Sequence, residues 1–404
     1  MGKPEIRFKG YTDEWEQRKL SEIALQTYGG GTPKTANEEF WKGNIPWIQS
    51  SDLIEEQLFN VKPRKYISQE AISKSATKLV PQNSIAIVTR VGVGKLAFMP
   101  FSYATSQDFL SLSDLKIEPE FAVYALYKMM QLVSNEVQGT SIKGITKDEL
   151  LAKEILIPGC EEQKKIGAYL HNLDHLITLH QRKCDEIKSL KKYMLQKMFP
   201  QNEQKVPEIR FKGFTEAWEQ RKLDDWGNFY YGRSCPKWSV TEDATIPCIR
   251  YGELYTKFGA KIDRVYSYTN MPPENLRFSK GTEVLIPRVG EDPMDYNHCT
   301  WLSMQDVAIG EMISVFNTDN NPLFTATMFN ATLQNEFAMR VEGGSVTNLY
   351  FEKLKNIEVS FPSIPEQEKI ASYFENLDHL ITLHQQKCEE LKKIKKFMLQ
   401  KMFV

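Results

Sequence analysis

The chain has 404 residues, 41% apolar and 25% charged, with a net charge of −1; this excludes a single small core, a disordered polyelectrolyte, and attraction to nucleic acid by bulk positive charge. Its longest apolar runs are far too short to cross a bilayer, and residues 1–5 lack the apolar core of a secretory signal. Cys160, Cys184, Cys235, Cys248, Cys299 and Cys388 form no C-x-x-C pair, so neither a disulfide scaffold nor a metal site is expected, and a reducing cytoplasm fits best.

The first segment, residues 4–20 (PEIRFKGYTDEWEQRKL), returns at 207–223 (PEIRFKGFTEAWEQRKL) with 14 of 17 positions identical. It opens a first region, 1–158, of mixed strand and helix signals. A β-rich run covers Ser84–Thr89, and a helical stretch covers Phe121–Val137 near its end. Positive charge is local here. Lys62, Arg64, Lys65, Lys74, Lys78, Arg90 and Lys95 stand against one acid, Glu70, between residues 61 and 100. Such clusters suit a phosphate-facing surface, although solvated surface charge is the commonest use of Lys and Arg. Gln49, Arg90 and Gln107 are of the type that reads base edges, a guanidinium for guanine and an amide for adenine. Val91-Gly92-Val93-Gly94-Lys95 lacks the spacing and hydroxyl of a phosphate loop. It reads as a strand-to-turn connection.

From residue 161 to 199 there is no proline and only Gly167. Ile166, Leu173, His180, Ile187 and Met194 recur seven apart; so do Leu170, Ile177, Cys184, Lys191 and Met198. This heptad pattern predicts a coiled-coil helix, roughly 55–60 Å long at 1.5 Å per residue. Acidic residues in its first turn and lysines in its last complement the helix dipole. His171, Asp174 and His175 share a metal-capable spacing, but a structural role is favoured, as for the seam histidine His180. The polar stretch 200–206 reads as a linker.

The second half then repeats the plan. Landmarks of the first region reappear in order: IPWIQ at 45–49 answers IPCIR at 246–250, and Thr89-Arg90-Val91-Gly92 answers Pro287-Arg288-Val289-Gly290. Residues 139–158 likewise answer 343–362. A strand is expected at Glu283–Ile286. Arg250, Lys257, Arg277 and Arg288 are the corresponding DNA-contact candidates. Asn321-Pro322-Leu323-Phe324 resembles an amino-methyltransferase box, but it lacks the second proline and any glycine-rich cofactor loop. We read it as coincidence. Residues 366–403 then repeat 162–199 with 27 of 38 identical, including the unbroken NLDHLITLHQ. The second seam holds Ile370, Phe374, Leu377, Ile381, His384 and Leu391.

A zipper serving only dimerisation would explain one such helix, but not two in one chain. The expected architecture is therefore α+β: two mixed α/β domains at 1–158 and 201–362, and two helices at 159–200 and 363–404. The helices pair antiparallel within the chain and relate the halves by a pseudo-two-fold axis. A fused methyltransferase or nuclease, and a coiled-coil adaptor that binds only proteins, are the competing readings.

The combination of PEIRFKG…EWEQRKL, the IPWIQSSDL and IPCIRYGEL segments, and the doubled EQxKI…NLDHLITLHQxKC…MLQKMF helices resembles type I restriction–modification specificity subunits along the whole chain. That resemblance implies two target-recognition domains, each reading one half of a bipartite site in double-stranded DNA, with helix length setting the spacer. It implies two methyltransferase (modification) subunits docked on the helices and restriction (translocase) subunits joining them. It implies no catalytic residue and no cofactor in this chain: S-adenosylmethionine, ATP and Mg²⁺ would belong to the partners.

Overall fold

The computed structural model describes residues 3–138, 144–200 and 204–403. It resolves into two compact units, one of residues 1–182 with 384–404, the other of residues 183–383. The long helices are Cys160–Lys197 and Ile364–Lys401. Each unit therefore holds part of both helices, and the units divide inside them.

In the first unit, Glu16–Lys19 pairs antiparallel with Glu154–Ile157. A four-stranded antiparallel sheet follows in the order Ala24–Gly29, Phe109–Leu115, Ser84–Val88 and Leu96–Met99. A smaller sheet sets Ile45–Ile48 between Lys65–Ile67, antiparallel, and Ala104–Thr105, parallel. The helix Pro119–Gln138 is buried on all sides in its first half, with Phe121, Val123, Tyr124 and Leu126 fully buried. Residues 139–143, the start of the first copy of a repeated landmark, lie outside the described residues, as do 201–203 of the linker.

The second unit repeats the plan with Glu219–Lys222 against Glu358–Phe361. Its larger sheet has five strands, ordered Gly227–Tyr231, Ile313–Thr318, Glu283–Pro287, Thr300–Leu302 and Lys261–Ile262. A second sheet of four strands is built around Ile246–Ile249 and Gln305–Ile309, which run parallel. The helix following the sheet is shorter than its counterpart, Pro322–Thr332, with Asn321 as its cap: the Asn321 side chain accepts from Phe324 N–H at 2.9 Å. The Asn-Pro-Leu-Phe string is thus a helix start whose Phe324 is buried core.

Within each unit the helices run antiparallel. In the first, Asp174 meets Lys395, the Ile177 carbonyl meets Cys388, and His180 meets His384. In the second, the Ile381 carbonyl meets Cys184 and Asp378 meets Lys191. Rising numbers on one helix face falling numbers on the other. The heptad residues Ile166, Leu170, Leu173 and Leu391 are buried in the same core as Trp15 and Phe121. Ile187, Ile370, Phe374 and Leu377 are buried with Trp218 and Phe324. Ile177 and Ile381 are half-buried against these cores. The helices thus serve as walls of the globular cores as well as partners for one another.

The repeated segments interlock at this junction. Arg7 grips Glu162 in the helix's first turn with two bonds of 2.7 and 2.8 Å, and Arg210 grips Glu366 with 2.6 and 2.7 Å. Bidentate pairing of this kind is the strong form of a charged hydrogen bond. It raises both guanidinium pKa values further. The end of the other helix closes each junction. Phe403 lies against Trp15 and Phe121, and Phe199 lies against Trp218 and Phe324. Ile6 N–H bonds to the Lys401 carbonyl at 3.0 Å, and Ile209 N–H to Lys197 at 2.9 Å. The near-identity of 4–20 with 207–223, and of the two helices, follows from one shared joint made twice.

Candidate nucleic-acid interface

In the first unit most of the predicted contacts, though not Lys62, are tied by bonds or ring contacts to one rim, around the ends of the parallel strands Ile45–Ile48 and Ala104–Thr105. The Ser106 N–H bonds to the Ile48 carbonyl at 2.9 Å, which brings Gln107 beside Gln49. Gln49 N–H is held by Asp52 at 3.0 Å, and Asp52 also faces Arg64 at 3.5 Å. Thr89 N–H bonds to the Asp108 carbonyl, placing Arg90 on the adjoining turn. Lys65 lies over Trp41 and Trp47, 5.6 and 5.7 Å from their ring centres. Lys62, Arg64, Lys65, Arg90 and Gln107 are exposed. Lys95 is half-buried and donates to the Leu53 carbonyl at 3.0 Å, so part of its hydrogen-bonding capacity is already committed to the fold.

Close backbone approach is what makes this rim compact. A Cβ on Gly30 would lie 1.8 Å from the Ser106 carbonyl oxygen, and one on Gly232 would lie 2.0 Å from that of Gly310. Only glycine fits at either place. The turn 91–94 is a strand-to-turn connection, as its sequence suggests, with Gly92 and Gly94 at positive φ.

The second unit builds the same rim with other side chains. Gly310 N–H bonds to the Ile249 carbonyl at 2.9 Å, so Arg250 takes the place of Gln49, and Glu311 the place of Gln107. Arg250 N–H is held by Glu253 at 3.0 Å, as Gln49 is by Asp52. Glu253 also accepts from Ser267 at 2.7 Å and Lys257 at 3.4 Å, and Lys257 lies 5.1 Å from the Tyr266 ring. Arg277 donates to the Tyr231 carbonyl at 2.8 Å and covers Tyr230. Arg288 stacks on Tyr231 and Tyr350, at 4.8 and 5.6 Å.

One correspondence drawn from sequence is corrected. Thr-Arg-Val-Gly and Pro-Arg-Val-Gly align Arg90 with Arg288, but the chain pairs them differently. Leu349 N–H bonds to the Arg288 carbonyl at 2.8 Å, whereas Ile145 N–H bonds to that of Thr89, also at 2.8 Å. Arg288 therefore occupies the place of Thr89, one residue before Arg90. Core residues agree: Ile85 and Ile87 face the core that Val284 and Ile286 face in the second unit. A one-residue slip turns a side chain to the opposite face. The two arginines consequently stand on different parts of the rim.

A second surface lies on the helices. Leu176 and Leu380 are each 39% exposed, Leu179 and Leu383 each 50%, and Tyr193 and Phe397 48% and 49%. Heptad reading places these residues off the seam and so gave them no role. Their signal is that the two copies keep Leu at 176/380 and 179/383 and an aromatic ring at 193/397, although these side chains stay 39–50% exposed.

Other sequence features are accounted for within the fold. Asp174 accepts from Tyr124 and Lys395, each at 2.5 Å. His171 lies beside Phe59, and among the described residues no cluster of three or more metal-capable side chains occurs. His180 and His384 meet at 2.9 Å through their Nδ1 atoms. Among the described residues no helix is long and apolar enough to cross a membrane.

Comparison with known proteins adds an independent line. The profile described as Type I restriction modification DNA specificity domain matches residues 12–189 and again 215–393. The Type I restriction enzyme MjaIX specificity subunit of Methanocaldococcus jannaschii is 24% identical, over 96% of this chain and 92% of that protein. The EcoR124I/EcoR124II specificity subunit of Escherichia coli is 31% identical over 42% of this chain and 43% of its own. Among solved structures, the type I system S subunit from M. genitalium aligns with a TM-score of 0.65 at 16% identity, covering 100% of this chain and 99% of that one.

Proposed function

The chain belongs to the type I restriction–modification DNA specificity family, and from that premise we propose how its parts divide the work. It is a specificity subunit: the reader, not the catalyst, of a complex with other subunits and DNA. Each rim reads one half of a bipartite site in double-stranded DNA. The first uses Gln49, Gln107 and Arg90, with Lys62, Arg64, Lys65 and Lys95 toward the phosphates. The second uses Arg250 and Arg288, with Lys257 and Arg277. Splitting recognition in this way makes specificity a product of two short readings, each mismatched pair costing about 1–3 kcal/mol.

The observation that carries this reading is the contrast between a joint built twice from the same residues and two rims built from different ones. A protein that read one contiguous sequence would gain nothing from the duplicated joint. The duplicated exposed positions on the helices support two docking sites for one kind of partner, hence two modification subunits, with restriction subunits joining that assembly. The test is methylation-aware sequencing of host DNA with and without the gene. A two-part motif with a fixed unread spacer, lost on deletion, is expected; an unchanged methylome in a host whose partner genes are active would overturn the proposal.

A further inference from the structure

The second rim contains an arginine with most of its hydrogen-bonding capacity unused. Arg288 follows the strand Glu283–Pro287, with its guanidinium carbon 4.8 Å from the Tyr231 ring centre and 5.6 Å from that of Tyr350. Its Nη2 meets the Met312 sulfur at 3.4 Å, a weak acceptor. Its Nε is buried and has no hydrogen-bond partner among the described residues. A guanidinium carries five donors, and burying a donor without an acceptor is costly. Such a group in a folded protein calls for an explanation.

The rings around it are themselves fixed. The Tyr231 hydroxyl donates to Glu352 at 2.6 Å, its ring lies 4.4 Å from Phe351, and its carbonyl accepts from Arg277. Burial together with Glu352 drives the Tyr231 hydroxyl pKa up, so the ring stays neutral. Tyr350 follows Leu349, whose N–H bonds to the Arg288 carbonyl. Arg288 is thus flanked from two separate segments, while its backbone is pinned between Leu349 and Met312. The first unit has Thr89 at this place, with no counterpart to the flanking tyrosines named here.

We propose that Tyr231 and Tyr350 are positioning residues of the second recognition domain. They hold the Arg288 guanidinium so that its terminal N–H groups meet a pair of oxygen or nitrogen acceptors on the duplex. A flexible arginine loses rotamer freedom when it binds; one already packed over two rings has lost part of it beforehand. The second half-site should then depend on one fixed fork, and the first should not. This rests on the reading that the second rim faces DNA.

The test uses the complex assembled with its modification subunits and duplexes carrying the motif found by methylation sequencing. Arg288→Ala should weaken binding about tenfold or more through the second half-site. Tyr231→Leu and Tyr350→Leu should each reproduce much of that loss there, leaving discrimination at the first half-site and the melting temperature unchanged. Tyr231→Phe, which keeps the ring, should retain discrimination. The acceptor is identified on the DNA: sensitivity to 7-deazaguanine marks a guanine edge, and sensitivity to a methylphosphonate, with a reduced salt slope, marks a phosphate. If Arg288→Ala matters and the leucine variants do not, the positioning role is overturned and the reading of the rim stands. If Arg288→Ala has no effect, both the DNA contact at Arg288 and its positioning fail. Equal loss at both half-sites, or a lowered melting temperature, shows a merely structural role and overturns the proposal.

Discussion

The two globular regions agree where they meet the helices and disagree where they face outward. At the joint, Arg7–Glu162 and Arg210–Glu366 have the same geometry to within 0.1 Å, and Trp15 and Trp218 meet the same kind of terminal phenylalanine. At the rim, Gln49 becomes Arg250, Gln107 becomes Glu311, and Thr89 becomes Arg288. Trp238, 73% exposed, stands where the first region has Glu39, since Ser239 and Phe40 take the same backbone bond from Asn270 and Ser68. The joint buries the same ion pair in both regions, whereas the rims carry different side chains on the same backbone places.

This comparison can be broken most forcefully at the joint. Glu162→Ala and Glu366→Ala each leave an arginine in a largely buried pair without its partner. Each should cost about 3–5 kcal/mol in denaturant unfolding. Matched losses are expected, and a near-neutral result at either site would deny the shared joint.

The helix pairs are alike but unequally buried. Lys395–Asp174 has side chains 9% and 20% exposed, against 24% and 38% for Lys191–Asp378. Asp174→Ala also removes the acceptor of Tyr124. It should cost roughly 3 kcal/mol, and Asp378→Ala, in a better-solvated pair, about 1 kcal/mol or less. Equal losses would show that burial is not what distinguishes the pairs. On the outer helix faces symmetry should return. Leu179→Asp and Leu383→Asp should each weaken one docked modification subunit by about 2 kcal/mol, read by native mass spectrometry as loss of a single copy. Loss of both copies from one substitution would contradict two separate sites.

At the rims the two regions should part. Arg288→Ala should relax only the second half-site and Arg90→Ala only the first, by about 1–3 kcal/mol each, measured by competition with single-base variants. Arg288 should show the larger effect, since its guanidinium already lies over two tyrosine rings. Relaxation of both half-sites by either substitution would show those arginines to be misassigned.

Much of this plan was legible in the chain. The 204-residue repeat and the heptads of 162–199 gave the helices, because a seam facing one way leaves a periodic trace in sequence. Gln49 and Arg250 are equivalent in sequence and in structure, because each follows an Ile-Pro-x-Ile strand of the same register. Arg90 and Arg288 are equivalent in sequence alone. Both sit in an x-Arg-Val-Gly string, and only the backbone bonds to Ile145 and Leu349 reveal the slip. The tyrosines around Arg288 come from residues 231 and 350, far apart in sequence, and no local pattern could bring them together. Lys95 reads in the sequence as a phosphate-contact candidate, and its bond to the Leu53 carbonyl leaves no trace in any local pattern. Pairwise contacts across long separations decide the rim, and sequence periodicity does not record them.

The central claim is that each globular region reads its own half-site on a common joint. The most direct measurement replaces residues 21–138 with the matching segment of a relative and sequences the methylated DNA of the resulting strain. One half of the two-part motif should change, with the other half unaltered. A change in both halves, or in neither, with the swapped protein folded and assembled, would contradict the claim.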